Sequence, residues 1–248
     1  MPRAGAATVV VVPCFDEADR LPRGELAVLA DADGVALTLV DDGSTDRTAE
    51  MLAEFAAGRP DVEVVRLPAN VGKAQAVRAG LTTARARGAQ WVAFCDADFA
   101  TPAHELLRLI DIARARPDLA VVVGSRLALL GRTVHRSPWR HAGGRVFAAG
   151  AARVLQLPVH DTQCGAKVLR VDAALAAALA EPFRSRWAFD VELLGRLAAL
   201  GVPADGMWEE PLHVWRDVAG SKRSLRAAVQ ATCELVPIAG DLRRWSGR

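Results

Sequence analysis

No apolar run in the chain approaches the roughly 18 residues that a membrane-spanning helix needs, so we expect a protein that does not cross a membrane. The four cysteines show no CxxC spacing. We interpret them as reduced thiols of a cytoplasmic protein. A first strand is predicted from about Thr8, which leaves no room for a signal peptide. No linker or internal repeat interrupts the chain, and the sequence therefore predicts a single domain.

Acidic residues are absent between Asp118 and Asp161, although the whole chain has a net charge of only +2. The small net charge gives no indication of nucleic-acid binding. The acid-free segment contains Arg126, Arg132, Arg136, Arg140, Arg145 and Arg153. So many arginines without carboxylates indicate an anionic partner, and a solvated basic face is the alternative.

Strands and helices alternate through the first hundred residues. Apolar runs predict strands over 8–12, 37–40, 62–66 and 90–95, with helical patterns between them. In the second half we expect strands over 120–124, 167–170 and 212–215, helices over 171–180 and 189–200, a loop through Glu209–Pro211, and a helical tail over 224–244 interrupted at Pro237. With 248 residues, 51% of them hydrophobic, the chain is predicted to form an α/β domain with a mainly parallel sheet between helices.

Four polar clusters follow the predicted strands: Pro13–Glu17, Asp41–Ser44, Asn70–Lys73 and Asp96–Asp98. The carboxyl ends of parallel strands meet at one edge of a sheet, where ligands usually bind. We therefore expect these four clusters to form one site. Taken alone, Asp41–Ser44 also fits a plain turn before a helix.

Asp96 and Asp98 lie at the end of a buried strand, two residues apart. Side chains at positions i and i+2 of an extended chain point the same way. Two carboxylates at this place favour Mg²⁺ or Mn²⁺, because a bound diphosphate can supply the remaining oxygen ligands. Paired acids in a solvated turn are the common alternative for so short a pattern.

Six motifs in order give the chain a recognisable likeness. They are VVVPCFDE (10–17), VDDGSTD (40–46), NVGK (70–73), DAD (96–98), GSR (124–126) and DTQCGAK (161–167). From about Thr8 to Lys222 the chain resembles a family 2 glycosyltransferase of the GT-A fold. The likeness is strongest to the branch that makes polyprenyl-phosphate sugars, the dolichyl-phosphate β-glucosyltransferases and their mannosyl relatives.

The resemblance implies donor-binding roles at matching positions. The implied nucleotide-sugar-binding residues are Pro13, Phe15, Glu17, Asp42, Lys73, Asp96 and Ala97. Asp42 would accept a hydrogen bond from uracil N3–H, or from a guanine, and Asp96 and Asp98 would hold the metal. The usual tyrosine and asparagine are replaced here by Phe15 and Asp16, so a hydroxyl and an amide are lost. Phe99 leaves the identity of a third metal ligand open.

For the acceptor, the resemblance implies a phosphate cradle of Arg126, Arg140 and Arg216. Guanidinium groups bind phosphate oxygens bidentately. Ser221 and Lys222 would close the diphosphate side. A phosphate acceptor is already anionic and needs no general base, so Asp161 is expected to position the site together with Arg126 and Asp98. It would act as a base only toward a hydroxyl acceptor.

We therefore expect an inverting, metal-dependent transfer of a sugar, glucose from UDP-glucose, to a polyprenyl phosphate. In this interpretation residues 1–118 bind the nucleotide, 119–222 bind the acceptor, and 223–248 form a helical tail that either lies on the inner membrane surface or packs on the sheet. The alternatives are a soluble phosphorylated metabolite as acceptor and a non-catalytic nucleotide-sugar-binding protein.

Overall fold

The computed structural model describes residues 8–135, 138–218 and 225–245. The strands are β1 (Thr8–Cys14), β2 (Val35–Asp41), β3 (Val62–Arg66), β4 (Trp91–Phe94), β5 (Val121–Ser125), β6 (Thr133–His135), β7 (Lys167–Arg170), β8 (Met207–Pro211) and β9 (Val214–Arg216). The helices are α1 (Arg23–Ala30), α2 (Thr48–Ala56), α3 (Lys73–Ala86), α4 (Ala103–Ala115), α5 (Pro138–Leu155), α6 (Ala173–Ala180), α7 (Phe189–Ala199) and α8 (Leu225–Trp245).

Seven strands form one sheet in the order β3-β2-β1-β4-β7-β5-β8. All neighbouring pairs are parallel except those of β7, which runs antiparallel to both β4 and β5. Strands β6 and β9 form a separate parallel pair. The predicted mainly parallel sheet between helices is confirmed. Its parallel strands deliver their carboxyl ends to one edge.

Each face of the sheet is covered by its own apolar core, and β1 contributes to both. Val9 and Val11 pack in the core that contains α3, whereas Val10 and Val12 pack in the core that contains α4. This alternation follows from the two-residue period of a strand. Helix α3 lies very close to β1, since a Cβ on Gly80 would come within 2.3 Å of the Val11 side chain. The close contact fixes where the first turn of α3 meets the sheet edge.

Strand β8 and helix α5 differ from the sequence prediction. Residues Glu209–Pro211 were expected in a loop but belong to β8, the edge strand paired with β5. The polar residues of β8 have internal partners, because Glu210 binds Arg108 at 2.6 Å. Helix α5 lies within the acid-free segment, where the charge pattern predicted neither a helix nor a strand.

Helix α8 continues through Pro237, although an interruption was predicted there. A proline removes one backbone hydrogen bond and strains the preceding turn. Here Leu235, Ile238 and Trp245 on one face of α8 are buried. Their burial offsets the cost of the proline. The described part of α8 packs against α5 and α7 through this face, and contact of the tail with a membrane surface stays a prediction.

Three of the four cysteines, Cys14, Cys95 and Cys164, are buried, and all four are free thiols. Burial, with nearby carboxylates adding to the effect, raises the pKa of the Cys14 thiol above its ordinary range. These buried thiols therefore act as small apolar core residues. Within the described residues, no helix is both long and apolar enough to span a membrane.

Candidate functional site

The loops that follow β1 and β2 are held together by side-chain caps. The Asp16 N–H donates to Ser44 Oγ (3.1 Å), and the Glu17 N–H donates to Thr48 Oγ1 (2.8 Å). In return Asp16 Oδ1 accepts the Thr45 N–H at 2.8 Å. Asp16 adopts a positive φ of 50°, which aspartate tolerates better than most residues. The first two predicted clusters therefore form one rigid wall, on which Pro13, Phe15 and Glu17 are half-buried.

Asp42 connects this wall to the start of α3. Its side chain is only 2% exposed, and its two oxygens accept the Val71 N–H (2.8 Å) and the Gly72 N–H (2.9 Å). Gly43 allows the Asp42 turn to lie close to the segment before α3, because a Cβ on Gly43 would lie 2.4 Å from the backbone of Ala69. Burial raises the pKa of Asp42, and the two backbone N–H groups oppose that rise. Each carboxylate oxygen keeps a second lone pair for a ligand.

Asp41 has a different role from its neighbour. Its side chain is fully buried, accepts the Ser44 N–H at 3.0 Å and pairs with Arg66 at 3.4 Å. The two adjacent aspartates thus have different structural roles. Asp41 closes the turn that was the alternative interpretation of this motif, and Asp42 connects to the third cluster.

Asp96 lies where three segments meet. Its Oδ1 forms an ion pair with the Nζ of Lys73, the first residue of α3. On its other side is the backbone of Gly165, where a Cβ would lie 2.4 Å from Asp96 Cγ and 2.5 Å from both carboxylate oxygens. The absence of a side chain at Gly165 therefore creates the space that the Asp96 carboxylate occupies. The DTQCGAK motif is recognisable in the sequence, but this function of its glycine depends on a contact with the distant residue Asp96.

Asp98 follows in a tight turn. The Phe99 N–H donates to the Asp96 carbonyl (3.1 Å), and Asp98 Oδ1 accepts the Ala100 N–H (3.1 Å). Phe99 has a positive φ of 47°, an unfavourable conformation for a bulky residue. Burial of its side chain in the core holds it there. Phe99 therefore shapes the turn that carries both carboxylates.

The two carboxylates suit a divalent cation that arrives with its own oxygen ligands. Asp96 and Asp98 are both half-buried and offer hard oxygen donors. The space left by Gly165 is filled by one of these carboxylates and by nothing apolar. Among the described residues, no group of three or more histidine, cysteine, aspartate or glutamate side chains could hold a metal ion.

Arg126 and Asp161 form a buried bidentate ion pair. Arg126 Nε and Nη2 donate to Asp161 Oδ2 (2.7 Å) and Oδ1 (2.6 Å), and the Arg126 backbone N–H adds a third bond of 2.9 Å. The two residues are 6% and 7% exposed. Burial lowers the pKa of Arg126, but the Asp161 carboxylate outweighs burial and raises it above its ordinary range. Proton transfer to Asp161 would break two charge-assisted bonds, which disfavours a base role.

Strand β8 fixes the turn at Asp161 through the side chain of Glu209. Glu209 Oε1 accepts the Asp161 N–H at 2.7 Å, and its Oε2 accepts the His160 N–H at 2.8 Å. His160 is exposed and also contacts Glu209 through Nδ1 at 3.0 Å. Glu209 was missed because β8 was predicted as a loop. Its carboxylate organises the turn without entering the site.

Arg216 reaches the same region from β9. Its backbone N–H donates to the Ala100 carbonyl at 3.0 Å, two residues beyond Asp98, and its side chain is exposed. The neighbouring Trp215 ring has the Arg126 guanidinium 5.6 Å from its centroid. The backbone of Arg216 is thus bonded to the turn that carries Asp98, and its neighbour Trp215 contacts Arg126.

Some predicted residues cannot be placed. Ser221 and Lys222 lie outside the described residues, and for Arg140 only its backbone position in α5 is described. The assignments of Arg126, Arg140 and Arg216 to an acceptor phosphate stay predictions. For Arg126, a bound phosphate would have to share its guanidinium with Asp161.

Three buried polar atoms flank the Arg126–Asp161 pair. They are Ser125 Oγ, Thr162 Oγ1 and Gln163 Nε2, and none has a hydrogen-bond partner among the described residues. Buried polar groups without partners are costly, which makes them candidates for ligand contacts. Neither their burial nor their lack of partners could be derived from the motif alone.

Below the site, Lys167 and Asp190 form a second buried ion pair. Lys167 Nζ lies 2.6 Å from Asp190 Oδ1 and 2.6 Å from the Cys164 carbonyl. Asp190 joins β7 to the first turn of α7, and it supports the Cys164–Gly165 backbone through Lys167.

Comparisons with known proteins identify relatives of the chain. A sequence model of the family described as Glycosyl transferase family 2 matches residues 9–175. A dolichyl-phosphate β-glucosyltransferase of Trichomonas vaginalis is 29% identical over 94% of this chain and 70% of its own length. One from Mus musculus is 33% identical over 86% of this chain and 68% of its own length.

Among solved structures, glucosyl-3-phosphoglycerate synthase from Mycobacterium tuberculosis is similar to this chain with a TM-score of 0.66. That structure contains Mn²⁺, UDP-glucose and phosphoglyceric acid. Its identity is 19%, and the likeness covers 96% of this chain and 81% of that one. At this identity the comparison shows the GT-A fold that the motifs predicted.

Proposed function

Because this chain belongs to glycosyltransferase family 2 and is therefore a glycosyltransferase, we propose that it transfers glucose from UDP-glucose to a polyprenyl phosphate with inversion at the sugar carbon. One observation carries the proposal. The dolichyl-phosphate β-glucosyltransferases match nearly the whole chain, from the donor motifs through Asp161 and the residues beyond it.

The donor would bind along the wall formed by the β1 and β2 loops. In this pose Phe15 offers an aromatic face to the base, and Asp42 offers its remaining lone pairs to a base N–H. Lys73, at the start of α3, would donate to the diphosphate while it holds Asp96 in place. The positive end of the α3 dipole at this place also favours an anion.

The same geometry suits a divalent cation, Mg²⁺ or Mn²⁺, which Asp96 and Asp98 would hold and which neutralises charge on a departing nucleoside diphosphate. The Phe99 turn and Gly165 fix the two carboxylates before any ligand arrives. Preorganised charges of this kind lower the barrier because they need no rearrangement during the reaction. Mn²⁺ and UDP-glucose in the mycobacterial synthase support this part of the proposal.

The acceptor phosphate would enter beside Arg126 and Arg216. The oxygen of a phosphate is anionic at neutral pH, so the attack on the sugar carbon needs positioning and no proton removal. The ion pair between Asp161 and Arg126 fits this chemistry. Because a phosphate acceptor needs no general base, Asp161 can stay paired during the reaction. Attack from the face opposite the diphosphate converts an α-linked donor into a β-linked sugar phosphate.

The test measures release of nucleoside diphosphate. The protein is incubated with Mn²⁺ or Mg²⁺ and a panel of nucleotide sugars, with and without a short polyprenyl phosphate. We expect release that depends on UDP-glucose and on the lipid phosphate together. Release that is slow and independent of the lipid would contradict the acceptor assignment.

A soluble phosphorylated acceptor is the second candidate. It is favoured by the fold likeness to a synthase crystallised with phosphoglyceric acid, a small anionic acceptor. The same assay with phosphorylated metabolites in place of the lipid distinguishes the two candidates, because only the true acceptor accelerates release.

A further inference from the structure

Arg186 lies in the loop between α6 and α7, outside the six motifs. Its side chain is exposed, and among the described residues it forms no hydrogen bond or ion pair. It extends along the backbone of Gly72, because a Cβ on that glycine would lie 3.6 Å from Arg186 Nε. An exposed guanidinium is thus placed at the N-terminus of α3, where the helix dipole disfavours a cation.

The location is the donor side of the candidate site. Gly72 donates its N–H to Asp42, and the next residue, Lys73, pairs with Asp96. The charge of Arg186 is also close enough to act on Asp42, where it lowers the carboxyl pKa against the larger effect of burial. Arg186 therefore adjoins the three-residue segment that links the base-binding and metal-binding carboxylates.

The loop that carries Arg186 is held by two carboxylates. Glu192 accepts the backbone N–H groups of Arg184 (3.0 Å) and Ser185 (2.9 Å). Glu234 of α8 accepts those of Trp187 (2.9 Å) and Ala188 (3.0 Å), together with the Ser185 hydroxyl. The residues on both sides of Arg186 are thus fixed, while its own guanidinium stays exposed.

Helix α3 is bonded directly to the same region. Gln75 Nε2 donates to the Phe183 carbonyl at 2.6 Å, and Arg78 Nε donates to the carbonyls of Leu179 (2.8 Å) and Glu181 (3.1 Å). These bonds fix the distance between α3 and the loop before Arg186. The fold therefore places the Arg186 loop beside Gly72.

We propose that Arg186 binds the nucleotide half of the donor through an oxygen acceptor, and that Glu234 is the positioning residue that aims it. The proposal rests on the proposed function, since it assumes a nucleoside diphosphate beside Asp42. A guanidinium offers planar, paired N–H donors that match either a base carbonyl or a phosphate oxygen. Its position favours the donor over the acceptor, because Arg126 and Arg216 lie on the other side of the carboxylate pair.

The experiment measures binding of UDP, UMP and GDP by calorimetry in the presence of Mn²⁺, without any acceptor. Arg186→Ala should weaken UDP binding about ten- to a hundred-fold, as expected for one charge-assisted hydrogen bond, and Arg186→Lys should recover part of the loss. Arg184→Ala is the matched control. Arg184 lies in the same loop, is exposed and pairs with Asp241 at 2.8 Å, so its loss should leave UDP affinity unchanged.

The remaining arms locate the contact and test the positioning residue. An equal loss with UMP and UDP identifies a contact to the base, the ribose or the first phosphate, whereas a loss with UDP alone identifies the second phosphate. Glu234→Gln should raise the donor KM with little change in kcat. In the Arg186→Ala background the same change should have almost no further effect.

The proposal fails if Arg186→Ala binds UDP as tightly as Arg184→Ala does, or if the loss appears in the acceptor KM alone. Its failure is distinct from that of the proposed function. If the wild-type protein binds no nucleoside diphosphate at all, both fail together.

Discussion

Gly165→Ala is the sharpest test of how this site is built. The new Cβ would lie 2.4 Å from Asp96 Cγ and 2.5 Å from each of its oxygens, whereas ordinary contacts begin at 3.4 Å. The carboxylate must therefore move by about 1 Å. The backbone of Gly165 needs no left-handed conformation, so the substitution acts through this one contact.

The expected result is a loss of activity without a loss of stability. A 1 Å displacement of a positioned group costs about a hundred-fold in rate, and here it affects the carboxylate that pairs with Lys73. Because the atoms that must move are the end of a half-exposed side chain, the fold can accommodate the methyl group. We expect kcat/KM for sugar transfer to fall about a hundred-fold while the melting temperature changes by only a few degrees.

The assay compares steady-state transfer and Mn²⁺-dependent UDP binding in the wild type, Gly165→Ala and Gly24→Ala. Gly24 lies in α1 with no atom within 4 Å of an added Cβ, so that variant should behave as the wild type. Gly165→Ala should add little to Asp96→Asn, since the displaced group is already impaired. Full activity of Gly165→Ala, with an unchanged metal requirement, would refute this account of Asp96.

Three further predictions follow from the same geometry. Donor affinity should fall as the pH drops through the pKa of Asp42, which is raised above the value of about 3.9 for a free aspartate. The reason is that a protonated carboxyl cannot accept hydrogen bonds from both the base and the backbone. A calorimetric pH titration of UDP binding should show this fall in the wild type and not in Asp42→Asn. For stability the sign is opposite, since a carboxyl whose pKa is raised by folding favours the folded state at low pH and loses that contribution as the pH rises through the folded pKa. Breaking the buried pair by Arg126→Ala or Asp161→Asn should cost about 3–5 kcal/mol in urea unfolding, whereas a loss below about 1 kcal/mol would show that the pair is not buried in solution. A chelator should abolish nucleoside diphosphate release and added Mn²⁺ should restore it in the wild type but not in Asp98→Ala, and full activity of that variant would contradict the metal assignment.

Much of the sheet and of the donor side could be predicted from local pattern. The strands over 62–66 and 167–170 are found at the predicted residues. For 62–66 the valine-rich run has few alternatives to a strand. The clusters at Asp42 and Asp96 meet because parallel strands end at one edge. These inferences need only the period of a strand and the direction of a chain.

Other features depend on contacts between distant residues. Strand β8 carries Glu209 and Glu210, which suggest a solvated loop until their partners at Asp161 and Arg108 are known. The pairing of Arg126 with Asp161 joins residues 35 apart in sequence. Local sequence patterns do not specify such a pair. Arg186 was missed for a related reason, since its importance comes from Gly72.

The antiparallel strand β7 determines when β4 gains its second neighbour in the sheet during synthesis. β4 is finished at Phe94, but its neighbour β7 begins only at Lys167, so the ribosome needs roughly 4 to 15 s, at about 5–20 residues per second, before the two can pair. During that interval the nascent chain exposes one unpaired edge of an apolar strand, and such an edge is a template for association with other chains. The cell must shield this edge on every nascent copy, and variants that delay β7 will appear first as a lower yield of protein rather than as a slower enzyme.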